Sequence, residues 1–251
     1  MSNPAPSPET GFTALPGTVA RRRVYLLRHG HVAYYDEAGR PLNPKLAELT
    51  ERGREEARAA GALLAAVPLD RVLCSGLPRT RQTAELVAAG RGLTVEEEPA
   101  FLEIRAGRLA DVPKASRTAA YLHGFEGADA AGACFAGGDS FAGVRDRVIP
   151  AIERLMLAPG WTHLALVAHD GINRFLLSWA CGAGLAAMAA FEQDYGCVNI
   201  LDVDVLDAGG AGGRILRRLI RTVNVTPGNP AKCGIHETSL ETAFGPLLLI
   251  D

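Results

Sequence analysis

Two histidines and two arginines follow the ends of apolar runs in this chain, and together these side chain types suit an anion. Arg28 and His29 follow the run VYLL, Arg79 follows VLCSGLP, and His169 follows LALVA. Two guanidinium groups would repel a divalent metal ion. A phosphate dianion fits better, because the planar fork of an arginine matches phosphate oxygens. The residue types therefore predict a phosphate site without a metal or another cofactor.

A parallel sheet would bring these distant residues together. From Val24 onward, short apolar runs alternate with helical patterns, which is typical of an α/β fold with a mostly parallel sheet covered by helices. The predicted strands span residues 24–27, 71–74, 93–97, 164–168, 198–203 and 215–223. The predicted helices span residues 50–66, 78–89, 140–157 and 171–181. Because ligands bind at the carboxyl ends of parallel strands, we expect the four side chains and their neighbours Ser75 and Asp170 to meet at one edge.

Arg79 occupies a position that is unfavourable for a cation, and this favours a role in binding an anion. Arg79 and Arg81 lie near the start of a predicted helix, where the helix dipole disfavours cations by about 0.5 kcal/mol. The alternative is that both arginines point to solvent or pair with Glu85. His169 also has an alternative interpretation as a buried core histidine. Gly30 would let the backbone approach a ligand closely.

Composition excludes several classes of protein. The chain has 251 residues, with 26 Lys and Arg against 28 Asp and Glu, a balance that argues against nucleic acid as a partner. No apolar stretch is long enough to span a membrane, and the N-terminus lacks the pattern of a secretory signal, so we expect a cytoplasmic protein without a membrane partner. Its five cysteines are widely spread without a C-x-x-C pair, which predicts reduced thiols.

Four segments organise the chain. Residues 1–20 are rich in Pro, Ser, Gly and Thr and are predicted to be a mobile tail. Residues 21–225 form the predicted domain, in which residues 21–23 are a solvated strand entrance and residues 104–138 an insertion or lid. Residues 226–251 form a C-terminal extension. Its apolar run at residues 247–250 would either form a homodimer interface or pack on its own domain.

Six segments in a fixed order resemble the histidine phosphatase superfamily, also called phosphoglycerate mutase-like. They are LLRHG at 26–30, LTERGREEA at 49–57, CSGLPRTRQTAE at 74–85, FLEI at 101–104, GGDSF at 137–141 and VAHDGINR at 167–174. The resemblance covers residues 24–223, and it implies a three-layer sandwich with helices on both faces of the sheet. It also implies metal-independent hydrolysis of a small phosphomonoester through a phosphohistidine.

The resemblance assigns a role to each residue of the cluster. His29 would be the nucleophile, Arg28 and Arg79 would hold the phosphoryl oxygens, and His169 would complete the pocket. Glu103 would be the proton donor. A carboxyl beside a phosphate dianion should have a raised pKa, because like charge disfavours its ionised form.

The chain departs from the family pattern after the R-H-G tripeptide. His31 and Tyr35 stand where the family often has an acid or amide and an Asn, and they are the further candidates for substrate binding. His31 would donate to the phosphate or cap its loop. Asp170 stands where many members have Gly, and it would add an anion near the pocket or orient an arginine.

Alternative functions are phosphoglycerate mutase-type transfer and a non-catalytic phospho-ligand-binding scaffold. Against the mutase, residues 31–48 lack the F-x-G-W pattern that phosphoglycerate mutases carry. Against the scaffold, a binder needs no nucleophile and proton donor together. Within the insertion, Arg105, Arg108, Lys114 and Arg117 would receive a second anionic group or form a solvated face. The insertion's aromatic residues, Tyr121, Phe125 and Phe135, would receive an apolar or aromatic moiety or form the insertion's own core.

Overall fold

Six strands form one sheet in the computed structural model, which describes residues 17–206 and 213–249. The order across the sheet is β3-β2-β4-β1-β5-β6. The strands are β1 (Ala20–Arg28), β2 (Arg71–Cys74), β3 (Val95–Glu97), β4 (His163–Ala168), β5 (Val198–Leu206) and β6 (Arg214–Val225). β1 to β4 run parallel to one another, and β5 is antiparallel to both of its neighbours, β1 and β6.

Helices cover both faces of this sheet. They are α1 (Glu51–Leu63), α2 (Pro78–Ala88), α3 (Arg117–Leu122), α4 (Phe141–Leu157), α5 (Asp170–Cys181) and α6 (Ser239–Leu249). Alternate side chains of β1 point to opposite faces. Leu26 shares a buried cluster with Val148 of α4 and Phe175 of α5, whereas Leu27 shares another with residues of α1 and α2. The predicted three-layer α/β fold with a mostly parallel sheet is thereby confirmed.

Two of the arginines at the start of β1 form ion pairs within the sheet, whereas the prediction left them solvated. β1 begins at Ala20, inside the segment predicted to be a tail, while residues 1–16 lie outside the described part of the chain. Arg21 pairs with Asp204 at 2.7 Å and Arg23 with Asp202 at 2.6 Å, and neither aspartate side chain is exposed to solvent. Because β5 supplies these buried carboxylates, the basic run belongs to the sheet.

The insertion and the C-terminal segment pack on each other. Within residues 104–138 lie α3 and three single 3-10 turns, and the aromatic rings of Tyr121, Phe125 and Phe135 are buried. Phe244 of α6 contacts the ring of Tyr121 at a centroid distance of 5.1 Å. The C-terminal helix therefore docks on the insertion. No helix within the described ranges is long and apolar enough to cross a membrane.

Candidate active site

The carboxyl ends of three neighbouring strands bring the predicted site residues together. β1 ends at Arg28, β4 ends just before His169, and β2 ends just before Ser75. The strands β2, β4 and β1 are adjacent and parallel, so their ends meet at the same edge. The rings of His29 and His169 lie 5.3 Å apart between centroids, although most of the domain separates them in the chain.

Arg79 links the two histidines. Its Nε donates to Nε2 of His29 at 3.1 Å, and its Nη2 lies 3.4 Å from Nδ1 of His169. Its Nη1 donates to the carbonyl of Pro44 at 2.7 Å. The side chain is buried in the first turn of α2, where it neither points to solvent nor pairs with Glu85. By contrast, Arg81 is exposed and pairs with Glu97.

Hydrogen bonds at both ring nitrogens fix the tautomer of His29. Nδ1 lies 2.8 Å from the carbonyl oxygen of Gly30, which can only accept, so Nδ1 carries the proton. Nε2 then has the lone pair that accepts from Arg79. Burial, and then the charges of Arg79 and Arg28, hold the pKa of His29 well below its ordinary 6.5. The imidazole is therefore neutral and nucleophilic at Nε2.

His169 is held in the opposite tautomer. Its Nδ1 faces the Arg79 guanidinium, which can only donate, so Nε2 carries the proton and donates to Oγ of Ser75 at 2.8 Å. The Ser75 hydroxyl donates in turn to Oγ1 of Thr80 at 3.0 Å. The Thr80 hydroxyl donates to the Leu77 carbonyl at 2.8 Å. Burial, followed by the charge of Arg79, holds the pKa of His169 well below 6.5. This chain of hydrogen bonds orients His169 toward Arg79.

Arg28 offers an unused donor. Its Nη1 donates to the carbonyl of Gln193 at 2.5 Å, and its guanidinium lies 3.9 Å above the ring of Tyr195. Only 4% of the residue is exposed, yet its Nε is buried without a hydrogen-bond partner among the described residues. A buried N–H group is costly to leave unpaired, so this one is suited to bind an anion.

A cavity of about 930 Å³ reaches this cluster, and Arg28, Arg79 and Glu103 are among the residues that line it. The two histidines are not among the residues that line the cavity. His29 is 1% exposed, because the Arg79 guanidinium covers its Nε2. Any ligand in the cavity can therefore reach Nε2 only after the Arg79 guanidinium turns away from the imidazole.

Glu103 is half-buried and lines the cavity beside Arg28 and Arg79. Its Oε1 accepts from the backbone N–H of Ile104 at 2.9 Å, and its Oε2 accepts from that of Gly171 at 3.4 Å. Burial, and then the charge of Asp170, raise the pKa of Glu103 to about 7. Near neutral pH the carboxyl can therefore act either as an acid or as a base.

Asp170 does not orient either arginine of the pocket. It accepts from Nε of Arg174 at 2.6 Å and from Oγ of Ser239, the first residue of α6, also at 2.6 Å. Arg174 in turn donates to Glu192 at 3.0 Å and to Ser239 at 3.1 Å. These four side chains join the start of α5 to the start of α6.

His31 and Tyr35 have separate locations. Nδ1 of His31 lies 2.9 Å from Oγ1 of Thr50, the N-cap of α1, and His31 is not among the residues that line the cavity. The structure therefore places His31 in a contact with the N-cap of α1, and its contact with a phosphate stays a prediction. Tyr35 does line the cavity, where its hydroxyl donates to the carbonyl of Ala243 in α6 at 3.1 Å.

Several residues at the site carry no signal in the sequence. Tyr34 lines the cavity, and burial raises the pKa of its phenol to about 12. The ring of Tyr195 lies against the guanidinium of Arg28, and no motif in the sequence indicates this contact. The α6 residues that line the cavity come from a segment that showed no motif.

Two glycines let the loop that carries His29 lie directly against α1. A Cβ atom on Gly30 would lie 2.2 Å from the carbonyl oxygen of Gly53, and one on Gly53 would lie 2.1 Å from that of His31. Gly30 is therefore required by the backbone of α1, whereas from the sequence we considered only the approach of a ligand.

The described residues contain no group of three or more His, Cys, Asp or Glu side chains able to hold a metal ion. All five cysteines are free thiols.

A family model and a curated protein both match most of this chain. The family model of the histidine phosphatase superfamily (branch 1) matches residues 24–207. An adenosylcobalamin/alpha-ribazole phosphatase of Escherichia coli (strain K12) is 29% identical over 195 residues, which cover 72% of this chain and 90% of that protein.

Two solved structures share the fold. A putative alpha-ribazole-5'-P phosphatase from Escherichia coli str. K-12 substr. MG1655 is 27% identical with a TM-score of 0.62, over 81% of this chain and 96% of that chain. A mycobacterial glucosyl-3-phosphoglycerate phosphatase in complex with VO3 is 25% identical with a TM-score of 0.64, over 81% and 98% of the two chains.

Proposed function

Because the chain belongs to the histidine phosphatase superfamily (branch 1) and is a phosphatase, we propose that it hydrolyses a small phosphomonoester through a phosphohistidine on His29. The observation that carries this proposal is the fixed tautomer of His29. A neutral imidazole, with Nδ1–H on the Gly30 carbonyl and the Nε2 lone pair facing Arg79, has the form that attack on phosphorus requires.

In the first step, Nε2 of His29 forms a bond to phosphorus as the bond from phosphorus to the leaving oxygen breaks. The unpaired Nε of Arg28 and the guanidinium of Arg79 would hold the non-bridging oxygens, where transition-state charge collects. Glu103 would give its proton to the leaving oxygen. Its raised pKa supports this role, because the acid is still largely protonated below pH 7.

In the second step, the Glu103 carboxylate takes a proton from water while the water oxygen attacks phosphorus. The bond from phosphorus to Nε2 breaks, and its electron pair returns to His29 as inorganic phosphate leaves. The Gly30 carbonyl stabilises the positive imidazolium of the intermediate by accepting from Nδ1. Glu103 is then protonated again, ready for the next cycle.

Guanidinium groups would supply the positive charge in this scheme, so we propose that activity is independent of metal ions. His169 would position Arg79 through its Nδ1 and contact the phosphoryl group after Arg79 has moved. The names of the relatives make α-ribazole 5'-phosphate the first metabolite to test.

The test measures hydrolysis of p-nitrophenyl phosphate in the presence of EDTA. We expect turnover that His29→Ala abolishes and that the matched control His123→Ala, an exposed histidine paired with Glu126, retains. Rapid quenching with ³²P-labelled substrate should trap label on His29 that is stable in alkali and labile in acid. Turnover that survives His29→Ala would overturn the proposal, as would a lack of turnover on a broad panel of phosphomonoesters, which would favour a binding scaffold.

A further inference from the structure

The cavity beyond the phosphoryl pocket is a chamber walled by rings and aliphatic side chains. Six aromatic side chains line it: Tyr34, Tyr35, Tyr121, Phe125, Phe135 and Phe244. They come from three separate segments, namely the loop after β1, the insertion and α6. Such a concave apolar wall beside a few polar groups is the usual form of a site for a small organic ligand.

Two arginines that line the chamber, Arg105 and Arg147, have partners of their own. Arg105 pairs with Asp139 at 2.8 Å. Arg147 donates to the carbonyls of Ala100 and Leu102 at 2.5 and 2.9 Å. Both arginines line the chamber, but their guanidiniums are already occupied.

The remaining charges do not favour a second anion either. The carboxylate of Asp170 is held by Arg174 and Ser239. Lys45 also lines the cavity, but it is an exposed residue in the loop after β1. Among the described residues that line the chamber, only Arg28 has a buried cationic nitrogen without a hydrogen-bond partner, and it belongs to the phosphoryl end. A second anion buried among the rings would lose its hydration without compensation.

We infer that this chamber binds the alcohol part of the substrate, and that the substrate is a phosphomonoester whose alcohol carries a large uncharged aromatic or apolar group. This inference rests on the proposed phosphatase function and specifies its substrate class. It disfavours substrates with a second phosphate or a carboxylate on the leaving group.

The C-terminal helix sets the size of the chamber. The start of α6 is held by the hydrogen bond from Ser239 to Asp170, and its middle by the hydrogen bond from Tyr35 to the Ala243 carbonyl. Phe244 lies between the insertion rings, with centroids 5.1 Å from Tyr121 and 6.0 Å from Phe135. Phe244 and Leu247 are therefore specificity residues that contact the leaving group.

Three aryl phosphates with similar leaving groups test this inference. We expect kcat/KM for 1-naphthyl phosphate to exceed that for phenyl phosphate by about tenfold, since one added apolar group in a pocket gives a factor of this order. We expect 4-carboxyphenyl phosphate to be about tenfold worse than phenyl phosphate, although its carboxylate does not make it a poorer leaving group.

Variants of α6 then locate the preference. Phe244→Ala and Leu247→Ala should each lower the ratio of naphthyl to phenyl kcat/KM several-fold. The matched control is Leu248→Ala, the next residue of the same helix, which does not line the cavity and should leave the ratio unchanged. Having two variants guards against one that folds poorly, and thermal unfolding would identify such a variant.

The outcomes separate this inference from the proposed function. Turnover that depends on His29 but shows no naphthyl preference, or prefers the carboxyphenyl ester, overturns the inference alone. A preference that both α6 variants leave intact also overturns it. Absence of turnover on all three esters and on p-nitrophenyl phosphate overturns the proposed function instead.

Discussion

The Nε of Arg79 lies 3.1 Å from Nε2 of His29, so the cation that would stabilise the transferred group contacts the nucleophile itself. With its other two nitrogens on His169 and the Pro44 carbonyl, the guanidinium is held from three sides. On the proposed mechanism, the contacts with His169 and Pro44 keep Arg79 beside Nε2 when it turns to the phosphoryl oxygens, and such positioning is the main contribution that a protein makes to phosphoryl transfer.

Arg79→Ala should lower kcat/KM on p-nitrophenyl phosphate by about 10² to 10³, the usual cost of removing one charge-stabilising donor. Arg79→Lys should recover little, because one ammonium cannot reach both imidazoles and Pro44. The matched control is Arg81→Ala, since Arg81 is exposed on the same helix and paired with Glu97. An Arg79→Ala enzyme within threefold of the wild type would contradict the assigned role.

Glu103→Gln should affect substrates according to their leaving groups. An alkyl phosphate needs a proton on its leaving oxygen, so its kcat/KM should fall about 10² to 10³-fold. p-Nitrophenolate leaves unaided, so the phosphohistidine-forming step with that ester should be much less affected. Burst kinetics on the two esters measure this difference. Equal losses on both would show that Glu103 is not the proton donor.

The raised pKa of Glu103 also sets the pH profile. Its protonated form is required in the first step, so kcat/KM for an alkyl phosphate should be level just below pH 7 and fall about tenfold per pH unit above it. In Glu103→Gln this alkaline fall should vanish. A fall that persists in the variant would assign it to another group.

Asp170→Asn should move the alkaline fall to lower pH. The charge of Asp170 helps to raise the pKa of Glu103, so removing it lowers that pKa, and the acid ionises earlier. The matched control is Glu192→Gln, which removes the other carboxylate paired with Arg174. The profile of that control should match the wild type, whereas equal shifts in both variants would indicate a general disturbance of α5.

Asp202→Asn should lower the free energy of unfolding by about 2 kcal/mol at pH 7, because hydrogen bonds from Arg23 and Arg221 lose their charge. Burial raises the pKa of Asp202, but these arginines outweigh it and hold the pKa below 3.8. The stabilisation is therefore present above pH 3.8 and lost as the pH falls through the folded pKa.

Urea unfolding at pH 7 and at pH 3 measures this dependence, and the difference between variant and wild type should shrink at pH 3. Asp146→Asn is the control, since Asp146 forms an exposed pair with Arg145 and should change stability by less than about 0.5 kcal/mol. A variant as stable as the wild type at pH 7 would show that the buried pairs contribute nothing net.

Local patterns predict the elements that carry the phosphoryl pocket well. The strand at 71–74 matches β2 at both ends, because the apolar run stops at a turn that contains Gly76. The predicted fold places the ends of β1, β2 and β4 together, and so it anticipates the contact between His29 and His169.

Long-range partners explain what the patterns miss. The prediction starts β1 at Val24, because three consecutive arginines do not resemble a strand. Their place in the sheet depends on Asp204 and Asp202 of β5, which are distant in the sequence. Likewise, nothing in the local sequence of α6 indicates that Phe244 packs on the insertion. The leaving-group side of the site therefore emerges only from the structure.

The close approach of Gly30 to Gly53 restricts the sequence around His29, whereas the aromatic side chains that line the cavity are under no such backbone restriction. No side chain fits between the loop that carries His29 and α1, so neither Gly30 nor Gly53 tolerates substitution. The insertion and α6 meet the same cavity through apolar side chains. On the proposed function, exchanges in those walls would change which alcohol is accepted and leave the groups around phosphorus in place.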